Sequence, residues 1–176
     1  MALFTGKGDD GTTYKFGCTD RFSKASAISE ALGTVDELNT YLGLIKVKAT
    51  GHFSEDLEKI QQNLFIVQAE LAGADKQIEA VKVEEMSNKI NEIEKDLPPI
   101  NSFLIAGGSE VASMFDFART VARRAERRVV AALDEGKLKI SPETLAYLNR
   151  LSSMLYAFAR LSNHLFGIKE ERPNYE

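Results

Sequence analysis

From Ser26 to about Phe166 the apolar residues of this chain recur at intervals of three and four, and that periodicity confines it to a helical architecture. Ile28, Leu32, Val35, Leu38, Leu42 and Ile45 make one stripe between Ser26 and Lys48. Leu57, Ile60, Leu64, Val67 and Leu71 make a second, and Met86, Ile90, Ile93 and Leu97 a shorter third. Leu97-Pro-Pro-Ile-Asn-Ser-Phe-Leu-Ile-Ala-Gly-Gly108 then breaks the pattern, because two prolines and a glycine pair cannot lie inside a helix. A long connection is expected there. Ser109 is a cap for a helix from about Glu110 to Asp134, and Ser141-Pro-Glu caps another running to about Phe166. No period-2 pattern of any length competes. The expected fold is all-α, an up-and-down bundle of about five helices behind a long N-terminal loop. Residues 1–23 read as the loop, 24–168 as a single bundle domain and 169–176 as a tail.

At 176 residues and 44% hydrophobic, the chain can bury one core covering roughly 70% of its unfolded surface. A net charge of −4 argues against a general binder of nucleic acid or anionic membrane. The single cysteine, Cys18, allows no intrachain disulfide and no cysteine-based zinc site, which suits a reducing compartment. No basic-then-apolar leader is read at the N-terminus, and no apolar run approaches the ~18 residues of a membrane span. A cytoplasmic location is expected.

The opening Thr5-Gly-Lys-Gly-Asp-Asp-Gly-Thr-Thr13 contains G-x-G-x-x-G at Gly6, Gly8 and Gly11. A dinucleotide-binding turn needs a buried strand before the first glycine, and only Met1 to Thr5 precede it. The Gly-Lys-Ser/Thr ending of a P-loop is missing too. What is left is a run of backbone N–H groups that a polyanion can approach without a Cβ in the way, or else a disordered N-terminus.

Ala118 to Arg128 holds five arginines, at 119, 123, 124, 127 and 128. On a helix Arg123 lies about 40° from Arg119, Glu126 about 20° to its other side, and Arg127 about 80° away. The opposite arc, with Met114, Phe117, Ala118, Val121, Ala125, Val129 and Ala132, is the expected core stripe. Such a run can be a solvated face. An almost pure arginine set, with Glu126 as the one carboxylate among them, suits planar contacts to phosphate or to a carboxylate of another subunit. On the last helix Asn149, Ser153, Tyr156, Arg160 and Asn163 form a polar stripe opposite Leu148, Leu151, Leu155, Phe158 and Leu165. It suits a subunit interface or a ligand wall, with a solvated face as the alternative. Asp36, in Gly33-Thr-Val-Asp-Glu-Leu-Asn39, sits mid-helix, where an arginine from elsewhere is its natural partner.

No Ser-His-Asp set, Cys-His pair, metal cluster or Glu-x-x-His pair is present; His52 is expected in a loop and His164 at a helix end. Chemistry on this chain therefore rests on positioning and charge stabilisation, with the nucleophile supplied by a cofactor.

Together these segments resemble the ATP:cob(I)alamin adenosyltransferases of the propanediol-utilisation type, which are helical-bundle trimers. The resemblance is carried by Thr5, Gly8, Asp9, Gly11 and Thr13, by Lys24, by Gly33 to Asn39, by Phe103 to Gly108, by Ala118 to Arg127 and by Asn149 to Ser152. Ala106, Leu32 and Ser153 depart from the family's usual proline, tyrosine and aspartate. The resemblance implies that the opening loop folds over ATP, with Thr5, Gly6, Lys7, Gly8, Thr13, Tyr14 and Lys24 contacting it from one subunit. Arg123, Arg124, Glu126, Arg127 and Asn149 would contact it from the neighbour, with Mg²⁺ on the triphosphate and no metal ligand from the protein. Asp36 and Arg119 would pair across the interface. Phe103 would press on the lower face of cobalamin, and cobalt(I) would attack the 5′-carbon of ATP. A homotrimer with sites at its interfaces is implied, served by a corrinoid reductase and supplying an adenosylcobalamin-dependent enzyme. A non-catalytic ATP or corrinoid carrier and a purely structural oligomer are the competing readings.

Overall fold

The structure, a computed structural model, describes residues 3–14, 17, 19–49, 51–136 and 138–176. Cys18, on which the reading of the redox compartment rests, lies outside the described residues. Helices occupy the stretches that the apolar spacing marks: α1 (Ala27–Lys48), α2 (Ser54–Leu71), α3 (Ala80–Lys95), α4 (Glu110–Asp134) and α5 (Pro142–Leu165). Ser109 Oγ accepts from Ala112 N at 3.1 Å and Ser141 Oγ from Thr144 N at 3.2 Å, so both expected caps satisfy an orphan amide of the first turn. Among the described residues no helix is long and apolar enough to cross a membrane.

α1 packs between α2 and α4, α4 between α1 and α5, and α3 lies against α5. The side-chain pairs give the directions. Glu37 meets Arg124, Tyr41 meets Phe117 and Lys48 meets Glu110, so α1 and α4 run antiparallel. Asp56 pairs with Lys89 and Asn63 with Lys82, so α2 and α3 do too. Short connections turn the chain from α1 to α2 and from α4 to α5. The result is the expected up-and-down bundle. Because α3 and α4 are not neighbours, residues 96–109 have to cross the end of the bundle to join them.

The core follows the sequence stripes on α1 and α2, where Val35, Leu38, Leu42, Ile45, Leu57, Leu64 and Leu71 are fully buried. Each such side chain contributes roughly 1.5–3 kcal/mol relative to leaving it exposed. On α4 the stripe needs correction. Phe117 is 53% exposed and rests edge-on against Tyr41, with ring centroids 5.0 Å apart. Phe115 takes the inward place, packed on Phe53 and Phe158 at 5.0 and 5.2 Å. Two residues along a helix is about 200°, so only one of the two phenylalanines can face the core, and the smaller Ala118, Ala122 and Ala125 set which.

Two further corrections bear on function. The N-terminal segment, expected as loop throughout, contains a hairpin in which β1 (Thr12–Tyr14) pairs antiparallel with β2 (Arg21–Ser23), Thr13 opposite Phe22. Three-residue strands are too short to register as a period of two. The polar stripe of α5 is also not a continuous outer face: Arg160 and Asn163 are buried beneath the chain's own connection and C-terminal segment, while Leu165 is half exposed.

Glu70, 9% exposed near the end of α2, supplies a cap from outside α5. Its carboxylate accepts from Ser141 N at 2.6 Å, from Ser141 Oγ at 3.4 Å and from the buried Thr144 hydroxyl. A negative charge there also meets the positive end of the α5 dipole. Glu70→Ala is expected to lose about 2–3 kcal/mol of stability, lowering Tm by roughly 5–10 °C in a thermal melt.

Candidate functional site

Three groups of residues are built on separate parts of this frame. The first is the hairpin. Gly6 and Gly11 adopt φ of +67° and +78°, which side chains rarely tolerate. Gly8 has a different reason to be glycine: a Cβ there would lie 2.8 Å from Lys24 Nζ, which donates to Gly8 O at 2.7 Å. Lys7 N donates to Thr5 Oγ1 at 3.4 Å. Arg21, which the sequence reading missed, gathers the turn by donating to Asp10 Oδ1 at 3.2 Å and Thr12 O at 3.0 Å, and also to Lys7 O and Thr12 Oγ1. Its guanidinium carbon stands 4.5 Å over the Tyr14 ring. Hydrogen bonds from Thr12, aided by Arg21, hold the Asp10 carboxyl below its ordinary range. The Gly6–Gly11 turn thus carries Lys7 and Gly8 beside Lys24, with Thr5 bonded at its start and Thr13 and Tyr14 on the strand that follows.

The second group is the face of α1, α4 and α5. Its arginines are not equivalent. Arg124 pairs with Glu37 and Arg128 with Glu30 across the α1–α4 contact, and Arg119 pairs with Asp116 at 3.4 Å on its own helix. Glu30, Glu37 and Asp116 all lie outside Ala118 to Arg128, the run in which Glu126 is the one carboxylate. Among the described residues Arg123 and Arg127 make no ion pair; Arg127 Nη1 donates to Arg123 O at 3.1 Å. Glu126 accepts from Asn149 Nδ2 at 3.0 Å. Asp36 accepts from Gln68 Nε2 at 3.1 Å rather than from an arginine of its own chain. It lines a groove of about 470 Å³ with Gly33, Tyr41, Leu44, Phe117 and Val121.

The third group is the connection 96–109, where Phe103 is 80% exposed. Asp116, 9% exposed, ties this segment to the arginine face: one carboxylate oxygen accepts from Gly107 N at 2.9 Å while the other meets Arg119. Arg119 also lies 5.9 Å from the Tyr156 ring centroid. Asp116 was legible only as a carboxylate three residues before Arg119.

The hairpin residues and the Arg123–Asn149 set make no hydrogen bond or ion pair with each other within the protomer, among the described residues. His52 lies in the α1–α2 turn and His164 in the last turn of α5. Among the described residues no group of three or more His, Cys, Asp or Glu is placed to hold a metal ion.

Residues 3–162 match the family described as Cobalamin adenosyltransferase. The chain is 40% identical over 172 residues to the corrinoid adenosyltransferase PduO of Citrobacter freundii, across 93% of this chain and 50% of that protein. It is 36% identical over 177 residues to the corrinoid adenosyltransferase of Bacillus subtilis, across 96% of this chain and 90% of that one. It spans about half the length of the PduO relatives it matches, those of Citrobacter freundii and Salmonella typhimurium. Among solved structures it is similar to a variant PduO-type ATP:corrinoid adenosyltransferase from Lactobacillus reuteri complexed with cobalamin and ATP, with TM-score 0.93 and 30% identity over 99% of this chain and 97% of that one. An arginine-to-lysine variant of that enzyme complexed with ATP gives TM-score 0.90 and 31% identity over 98% of this chain and 100% of that one.

Proposed function

Because the chain belongs to the cobalamin adenosyltransferase family, we propose that it transfers the 5′-deoxyadenosyl group of ATP to the Co(I) of reduced cobalamin, releasing triphosphate. The observation that carries this reading is the division of the arginine face. Arg119, Arg124 and Arg128 are matched by carboxylates of their own chain, whereas among the described residues Arg123 and Arg127 stand beside one another without one. Two adjacent guanidinium groups without carboxylates suit a polyphosphate.

In this reading the site is shared between subunits of a homotrimer. The hairpin of one subunit cradles ATP with Thr5 to Gly8, Thr13, Tyr14 and Lys24. Arg123, Arg124, Glu126, Arg127 and Asn149 hold it from the neighbour. Mg²⁺ would be carried on the triphosphate and would offset part of its charge. Asp36 and Arg119 pair across the interface, Asp36 exchanging Gln68 for the arginine. Phe103 presses on the lower face of the corrin and helps displace the lower ligand, so that a four-coordinate Co(II) is more easily reduced by an external reductase. The cobalt electron pair then forms the Co–C5′ bond as the C5′–O bond breaks, and triphosphate leaves with that bonding pair. The arginines stabilise the charge that develops on the leaving oxygen. No proton is transferred in the step, so no protein base takes part. The product supplies an adenosylcobalamin-dependent enzyme in the cytoplasm.

The decisive experiment mixes chemically reduced cob(I)alamin with ATP, Mg²⁺ and the protein under anaerobic, light-protected conditions. Protein-dependent conversion to the adenosylcobalamin spectrum, with triphosphate released, is the expected result. An unchanged Co(I) spectrum despite ATP binding overturns the reading in favour of a carrier. Light scattering is expected to give about three times 19.5 kDa; a monomer mass would overturn the shared site. Phe103→Ala should cut turnover roughly 10- to 100-fold through lost positioning. Tm should move by no more than about 2 °C, because the ring is already in solvent.

A further inference from the structure

The segment that carries Phe103 contains no helix or strand of its own. Besides Asp116, which holds Gly107 N, what fixes it comes from α5 and the C-terminal segment. Arg160, 5% exposed on α5, donates to Pro98 O at 2.8 Å, and its Nε and Nη2 grip the Glu170 carboxylate at 3.0–3.1 Å. Arg172 Nη2 donates to Asn101 Oδ1 at 2.7 Å. Ile105 N donates to Glu171 O at 2.8 Å, a backbone bond between the connection and the C-terminal segment. Asn163 closes the far end by donating to Gly107 O at 2.7 Å and accepting from Ser109 N at 2.9 Å. The fit is close enough there that a Cβ on Gly108 would come within 2.3 Å of Asn163 Oδ1.

Successive side chains of the connection divide between two environments. Leu104 lines the cleft shared with Ile168, Lys169, Glu170 and Arg172. Phe103 and Ile105, exposed on either side of it, do not line that cleft. The C-terminal segment therefore braces the connection from behind and leaves Phe103 presented forward.

We infer that residues 168–172 are a brace that sets the position of Phe103, with Glu170 and Arg172 as positioning residues for the corrinoid. Arg160 is the buried anchor that joins the brace to the bundle. This rests on the adenosyltransferase reading and extends it to a segment outside residues 3–162, which carry the family match. A brace acts on the corrinoid step and leaves ATP alone, because among the described residues none of its hydrogen bonds or ion pairs reaches the hairpin or Arg123.

The test uses the full chain with Glu170→Gln, Glu170→Asp and Arg172→Ala, and with Phe103→Ala as reference. Arg172→Ala removes only an exposed pair and keeps the test independent of folding should Glu170→Gln unfold. Steady-state rates, KM for ATP and the fraction of bound Co(II) corrinoid in the four-coordinate form, read by its electron paramagnetic resonance, are measured for each. Glu170→Gln and Arg172→Ala are expected to lower kcat about 10-fold or more, with 100-fold the scale of a 1 Å misplacement. The four-coordinate fraction should fall in parallel, KM for ATP should stay within about twofold, and Glu170→Asp should recover part of the loss. Wild-type kcat and spectrum in folded Glu170→Gln and Arg172→Ala, alongside an impaired Phe103→Ala, overturn the brace alone. A Phe103→Ala protein as active as wild type overturns both the brace and the role of Phe103 beneath it.

Discussion

Arg123→Ala is expected to reduce the rate of adenosylcobalamin formation by about 10²–10³-fold, the cost of deleting one donor to a developing oxyanion. The same substitution should leave Tm within about 2 °C of wild type, since a surface change away from caps, core and ion pairs stays within about 0.5 kcal/mol. That separation follows from the structure, in which the Arg123 guanidinium has no carboxylate to lose, among the described residues. Arg119 is a less clean probe: its removal also strips the partner from Asp116, and Asp116 holds Gly107 N. Arg123→Lys should fall between, because an ammonium keeps the charge but not the planar fork. The comparison is made with the Co(I) spectral assay and a thermal melt on the same preparations. A variant turning over at the wild-type rate would take Arg123 out of the mechanism.

The largest loss of stability is expected from Arg160→Ala. The guanidinium is 5% exposed and bonded to Glu170 and to the Pro98 carbonyl, so truncation strands a partly buried carboxylate and a carbonyl. Breaking one side of a buried pair costs about 3–5 kcal/mol, which for a chain of this size lowers Tm by roughly 10 °C or more. Urea and thermal unfolding measure it. The double variant Arg160→Met, Glu170→Met should recover much of the loss, because the penalty comes from the uncompensated charge rather than from a missing attraction. A single-variant loss under about 1 kcal/mol would mean that water already screens the pair.

Both effects depend on information of a different reach from that which builds the helices. Helix positions could be read locally: apolar residues at three and four, Ser109 and Ser141 ahead of their first turns, two prolines and a glycine pair where the chain must leave the bundle. The hairpin could not, because its strands are three residues long and its stability comes from Arg21, far enough along the chain that no local period marks it. The Phe115–Phe117 exchange has the same origin. Both are aromatic, and which one faces inward depends on the phase at which α4 meets α1 and α5.

The helices, their order and the concentration of guanidinium groups on one of them follow from spacing and residue type along the chain. Only the packing of α1 on α4 decides which arginines already have a carboxylate of their own chain. Glu30 and Glu37 neutralise Arg128 and Arg124 only because α1 runs antiparallel to α4 at that register, leaving Arg123 and Arg127 unmatched among the described residues. The tertiary structure also decided that Arg160 and Asn163, which share a stripe with Asn149, lie under the connection and C-terminal segment instead of facing outward. A charge's partner is set by what packs opposite it in space, and helical periodicity carries no record of the opposing surface.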